Sequence, residues 1–155
     1  MTFKERYRDL QEIIREMLLL RSHNRQFQAG DSQETMLMFA EACVVLLALE
    51  RFLRVILQDE ATERDTLPNL LEKATSKRVA LLSLPPGERA ELIRRVKDVR
   101  NTTLHGGFEQ AARDAECGSV ADYFATQFAP EVEAITNLLE GLMGQIDPET
   151  GHPRP

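Results

Sequence analysis

Apolar residues recur along most of this chain at steps of three and four, the spacing of one face of an α-helix, and no stretch reads as a strand. Phe3, Tyr7, Leu10, Ile14, Met17 and Leu18 form the first stripe. Thr2 precedes it, with Glu5 three residues on as a capping box, so a helix is predicted to about Arg25. Gln28-Ala29-Gly30-Asp31-Ser32 breaks the pattern, and Asp31 or Ser32 is placed to cap a second helix running to about Gln58. Between Met36 and Leu49 that helix is apolar nearly all round, interrupted by Glu41. It is too short, and too soon followed by Glu50, Arg51 and Arg54, to span a bilayer, so it reads as the central buried helix.

Thr66 and Pro68 signal a third helix carrying Leu70, Leu71 and Ala74 and extending toward Val79 to Leu82, ended by Pro85-Pro86-Gly87. A fourth, with Leu92, Ile93, Val96 and Val99, stops at Gly106-Gly107, where glycine permits the left-handed backbone that closes a helix. Glu109 to Glu116 reads as a short helical piece. Ser119 with Asp122 caps another, which Pro130 interrupts before a last stripe of Val132, Ile135, Leu138, Leu139, Leu142 and Met143. The expected fold is all-α, a compact helical bundle of about five to six helices. It forms one domain over residues 1–146 with a loose tail over 147–155, which holds three prolines and no large apolar side chain.

A length of 155 residues with 43% hydrophobic and 28% charged positions suffices for a conventional core and lies far from disordered compositions. The formal net charge of −6 lacks the basic footprint of a general DNA binder but leaves room for a local basic cleft. Cys43 and Cys117 have no ligand-like spacing with histidine, so no metal site is expected and both thiols are expected to be buried and free. The charged N-terminus running straight into a helical pattern has no signal-peptide form, which points to the cytoplasm and away from a membrane.

Candidate chemistry gathers at the end of the fourth helix. His152 lies in the tail and His23 has no charged partner three or four residues away, whereas His105 follows Arg100 and Asn101 beside two glycines. Asn101 and His105, four apart, share a helix face, so the amide is placed to fix one imidazole tautomer. Arg100, five before His105, lies roughly 140° from it at about 100° per residue. It also falls between Val96 and Ile93 on an apolar arc, and Glu41 falls among Leu37, Val44, Val45 and Phe52 on the second helix. Two charges on apolar arcs suggest an internal pair in which Glu41 orients Arg100 toward a phosphate. Glu41 reads equally well as a partly exposed acid at a bundle edge.

The run Arg100-Asn101-Thr102-Thr103-Leu104-His105 resembles the signature of the HEPN superfamily: an Arg, a polar residue for which Asn is preferred, three further residues and a His. Proteins of that superfamily are small helical bundles, commonly homodimers, in which two copies of the motif face one cleft and cut RNA without a metal or other cofactor. The resemblance implies an endoribonuclease with an RNA substrate, a toxin or defence role, and an antitoxin or a nucleotidyltransferase as companion. His105 would act as general base or acid on the ribose 2′-hydroxyl, and Arg100 would stabilise the phosphorane-like transition state. Arg94, Arg95 and Lys97, just before the motif, would supply phosphate-binding charge.

Other readings fit the same residues. An Arg and a His near a helix C-terminus also complement the macrodipole. The basic run from Arg89 to Arg100, interspersed with Glu91 and Asp98, is also what a solvated helix face looks like. A non-catalytic nucleotide- or protein-binding module, or a structural oligomer, would use this fold without cleaving anything.

Overall fold

The computed structural model describes residues 2–24 and 32–155, with the side chains of Phe3, Met17, Leu18 and residues 20–37 set aside; His23 and the Asp31 or Ser32 cap lie among them. Its helices are α1 (Phe3–Asn24), α2 (Ser32–Leu57), α3 (Leu67–Ala74), α4 (Arg89–His105), α5 (Phe108–Asp114), α6 (Val120–Tyr123) and α7 (Ala129–Gly144). No strand occurs among the described residues, so the protein is an all-α bundle.

The capping box at the start of α1 is formed: the Glu5 N–H donates to Thr2 Oγ1 at 3.3 Å and the Thr2 N–H to Glu5 Oε2 at 2.7 Å. That second bond holds the Glu5 carboxyl below its ordinary value. Tyr7, Leu10 and Ile14 then bury against α2.

Helix α2 packs on α1, α3, α4 and α7 and is the centre of the bundle. Its buried line runs from Ala42 through Val45, Leu49, Phe52 and Leu53 to Ile56. One strip of this apolar helix nevertheless stays uncovered: Phe39 is 38% exposed, Cys43 is exposed and Leu47 is 45% exposed, at successive four-residue steps. Cys43 is therefore not the buried thiol the sequence suggests, and Cys117 is half-buried. The reason is geometric, since neighbours cover only part of the circumference of an evenly apolar helix.

The 58–66 connection is stapled to the helices on either side. Arg54 donates to the carbonyls of Thr62 and Asp65 at 2.9 Å, and Lys73 Nζ reaches Asp65 Oδ2 at 2.7 Å. Thr66 precedes α3 in an extended conformation without a side-chain cap bond, and Pro68 sits in the first turn. Helix α3 ends at Ala74, well short of Val79 to Leu82. There the Leu81 and Leu82 N–H groups turn back onto the Ala74 carbonyl, so Leu82 is buried from a loop.

Near the C-terminus α6 passes into α7 through a π turn over Phe124–Phe128, in which the Ala129 N–H donates to the Phe124 carbonyl. Pro130, in the first turn of α7, has no N–H for an ordinary i→i−4 bond, and the widened turn carries the helix past it. Residues 147–155, expected to be loose, fold back on themselves. Asp147 N–H bonds His152 O at 2.9 Å and Arg154 N–H bonds Gln145 O at 2.7 Å, so backbone pairing holds a segment that has little apolar surface to bury.

Candidate functional site at the end of helix α4

Helix α4 buries Val96, Val99 and Thr103 along one line, and the Thr103 hydroxyl is satisfied by donating to the Val99 carbonyl at 2.7 Å. The helix stops at Gly106, whose φ of 64° is the left-handed cap and whose N–H donates to Thr102 O at 3.1 Å. Phe108 follows at once and anchors the exit, with its ring centroid 4.8 Å from Phe124, 5.6 Å from Phe128 and 5.9 Å from Phe39. The last turn carrying His105 is thus held from both sides, by the core line below it and by an aromatic cluster beyond it.

Arg100 sits roughly 60° off the buried line on an ideal wheel and is half-buried. Its guanidinium donates to Asn101 Oδ1 at 3.4 Å. The expected ion pair with Glu41 is not formed. Glu41 is buried at 9% exposure and has interactions of its own. Asn101 Oδ1 accepts from Arg100, and no hydrogen bond joins the Asn101 amide to the imidazole among the described residues. His105 is exposed and carries no hydrogen bond among the described residues. Arg100 and His105 lie roughly 140° apart on an ideal wheel and share no hydrogen bond among the described residues.

The local charge is smaller than the sequence suggests. Arg94 is held by Glu91 and by Asp98, the latter at 2.8 Å, and Arg95 pairs with Glu131 at 2.8 Å. The hydrogen bond from Arg94 keeps the Glu91 carboxyl below its usual range, and Glu91 and Asp98 hold the Arg94 guanidinium more firmly protonated still. Of the three cations assigned to a phosphate track, Lys97 is the one with no ion pair among the described residues.

A cleft of about 210 Å³ opens on the other flank of α4, where α6, the π turn and α7 pass it. Val99, Phe128 and Tyr123 supply apolar wall, and Thr102, Gln127 and the paired Arg95 and Glu131 supply polar groups. Burial pushes the Tyr123 phenol up, helped by the negative charge of Glu131. Neither Arg100 nor His105 lines it, although Thr102 is three residues before His105.

Compared with family models, curated proteins and solved structures, the chain matches none.

What the site offers chemically therefore rests on its own groups: an exposed imidazole, a half-buried guanidinium and, on another flank of α4, a cleft whose charges are paired. Among the described residues no three of His, Cys, Asp and Glu gather as metal ligands, and no helix is long and apolar enough to cross a membrane. Thr102, Tyr123 and Gln127 were not singled out from sequence. The one signal available was Pro130 following Phe124 and Phe128 in a helical pattern, which marks an irregular turn without saying which side chains it gathers.

Proposed function

We propose that this protein is a metal-independent endoribonuclease of the HEPN type, acting as a homodimer in which two copies of the α4 terminus share one cleft. The observation that carries the reading is the placement of His105, exposed on the last turn of a helix whose left-handed cap and aromatic exit hold it in place, with Arg100 half-buried one turn earlier. An imidazole open to substrate is what proton transfer at a ribose 2′-hydroxyl needs, and a guanidinium suits the charge that builds on phosphorus. Because Arg100 and His105 diverge on one helix, the guanidinium that serves a given His105 would come from the second copy. Leu104 at 61% exposure, between the two residues, and the Phe39–Cys43–Leu47 strip are apolar surface fit for that contact.

The test is cleavage of a labelled structured RNA in excess EDTA by wild type, Arg100→Ala and His105→Ala, each checked for fold by circular dichroism. Each variant alone is expected to lose activity by about a hundredfold or more, the scale of a removed general acid–base or charge-stabilising group. Mixing the two under subunit exchange is expected to restore part of it. A well-folded wild type that leaves several RNA classes intact would overturn the nuclease reading. One observation favours the alternative of a nucleotide- or protein-binding module, companion to a nucleotidyltransferase: Arg94 and Arg95 are neutralised by acids, leaving little charge for a long RNA track.

A further inference from the structure

Which ligand the cleft between α4 and the π turn would accept follows from what its polar groups are already doing. Its charged residues are engaged with one another, Arg94 with Asp98 and Arg95 with Glu131, so an anion would have to break a pair to bind. The groups with hydrogen-bonding capacity to spare are neutral: the Thr102 hydroxyl, the Tyr123 phenol and the Gln127 side-chain amide make no hydrogen bond among the described residues. Together they offer donors and acceptors around walls made by the Tyr123 and Phe128 rings and Val99.

The space is about 210 Å³, below the roughly 300 Å³ at which drug-sized ligand pockets begin. A small, flat, neutral group with mixed donors and acceptors meets all three conditions. A phosphate fails on charge and an aliphatic side chain fails on polarity.

We propose that this cleft is a subsite for one unpaired nucleobase, stacked against Tyr123 and hydrogen-bonded by Gln127 and Thr102. The proposal deepens, and rests on, the ribonuclease reading. Thr102 and His105 are separated by three residues, about 4.5 Å along the axis and roughly 60° around it, so a base held at Thr102 leaves its own ribose within reach of the imidazole. The π turn contributes by widening the helix where Tyr123 and Gln127 face α4. The paired charges at the rim set orientation without adding net attraction for phosphate. Base binding here is therefore insensitive to salt, whereas backbone binding weakens as counterions compete.

The experiment measures binding, so that it does not depend on cleavage. Fluorescently labelled pentanucleotides with 2′-O-methyl sugars, which lack the attacking hydroxyl, are titrated with the full chain and compared with an otherwise identical strand carrying an abasic central position. The base-bearing strands are expected to bind about tenfold more tightly, the scale of one stacked base, with that margin kept between about 50 and 200 mM salt while both affinities fall. Gln127→Ala, at an exposed position, should shrink the margin without touching the fold. Tyr123→Ala should abolish it and Tyr123→Phe should retain most of it. His105→Ala should keep the full margin while losing cleavage; a wild type with an intact margin and no nuclease activity would sink the ribonuclease reading and leave the subsite standing. No margin in the wild type, or one that survives intact in Gln127→Ala, would overturn the subsite even if RNA is cut.

Discussion

Replacing Gly106 by alanine isolates the backbone of the cap that ends the motif helix. A Cβ built there meets nothing within 4 Å, so the substitution introduces no clash and removes no contact. What it changes is the cost of a φ of +64° for a residue with a side chain, about 1–2 kcal/mol. A stiffer unfolded chain returns about 0.4–1 kcal/mol of this, leaving a net loss of about 1 kcal/mol. Gly141 is the control: it also has open space around its Cβ position but lies inside α7 with no positive φ. There alanine should stabilise by roughly 0.8–1 kcal/mol through helix propensity. Urea denaturation of the two variants and the wild type, with equal slopes, reads both signs directly; thermal midpoints should move by about 2–4 °C in opposite directions. Gly106→Ala proving neutral or stabilising would refute the left-handed cap as the element holding the last turn of α4. Because the cap N–H bonds Thr102, its loss should also loosen His105 and lower any activity by more than it lowers stability.

Two further outcomes are expected. The Asp65 carboxyl is held below its ordinary value, chiefly by the hydrogen bond from Lys73 and then by the Thr62 N–H. A depressed folded-state value means stability that is present above the unfolded value of about 3.9 and is lost as pH falls through the lower folded value. Asp65→Asn should therefore be less stable than wild type near neutrality, with the gap closing below about pH 4; a gap constant from pH 7 to pH 3 would refute the ion-pair origin. Cys43, exposed on α2 with its thiol pushed up by partial burial, should label with a disulfide reagent in the native protein, faster as pH rises above neutral. Labelling only under denaturant would contradict the uncovered strip.

Periodicity carried most of the fold because helix burial depends on the sequence spacing of apolar residues, and α1, α2, α4 and α7 all display it over three or more turns. It failed where long-range contacts decide. Nothing local marks Ala74 as the end of α3: Leu81 and Leu82 continue an apolar run, but their N–H groups fold back on the Ala74 carbonyl and Leu82 reaches the core from a loop. Composition is equally silent on pairing within residues 147–155. Backbone bonds there join Asp147 to His152 and Gln145 to Arg154, which composition does not register. Cys43 looked buried because α2 is apolar all round, and the number of neighbours around a helix is not written in that helix.

The site divides along the same boundary. A wheel placed Arg100 beside the buried line of α4 and Glu41 inside that of α2, and both residues lie near those positions. It could not say whether the two arcs meet. Whether a guanidinium turns inward or along the surface depends on competing acceptors, and Asn101, the adjacent residue, supplies one at 3.4 Å. That local bond has a consequence for chemistry. It turns the guanidinium toward Asn101, which shares its helix face with His105, although Arg100 and His105 themselves start roughly 140° apart on an ideal wheel. A substrate phosphate placed at His105 meets this chain's imidazole, and no hydrogen bond joins that imidazole to this chain's Arg100 among the described residues. If the proposed dimer supplies the cation from a second copy, a chain kept monomeric should retain base binding while losing cleavage.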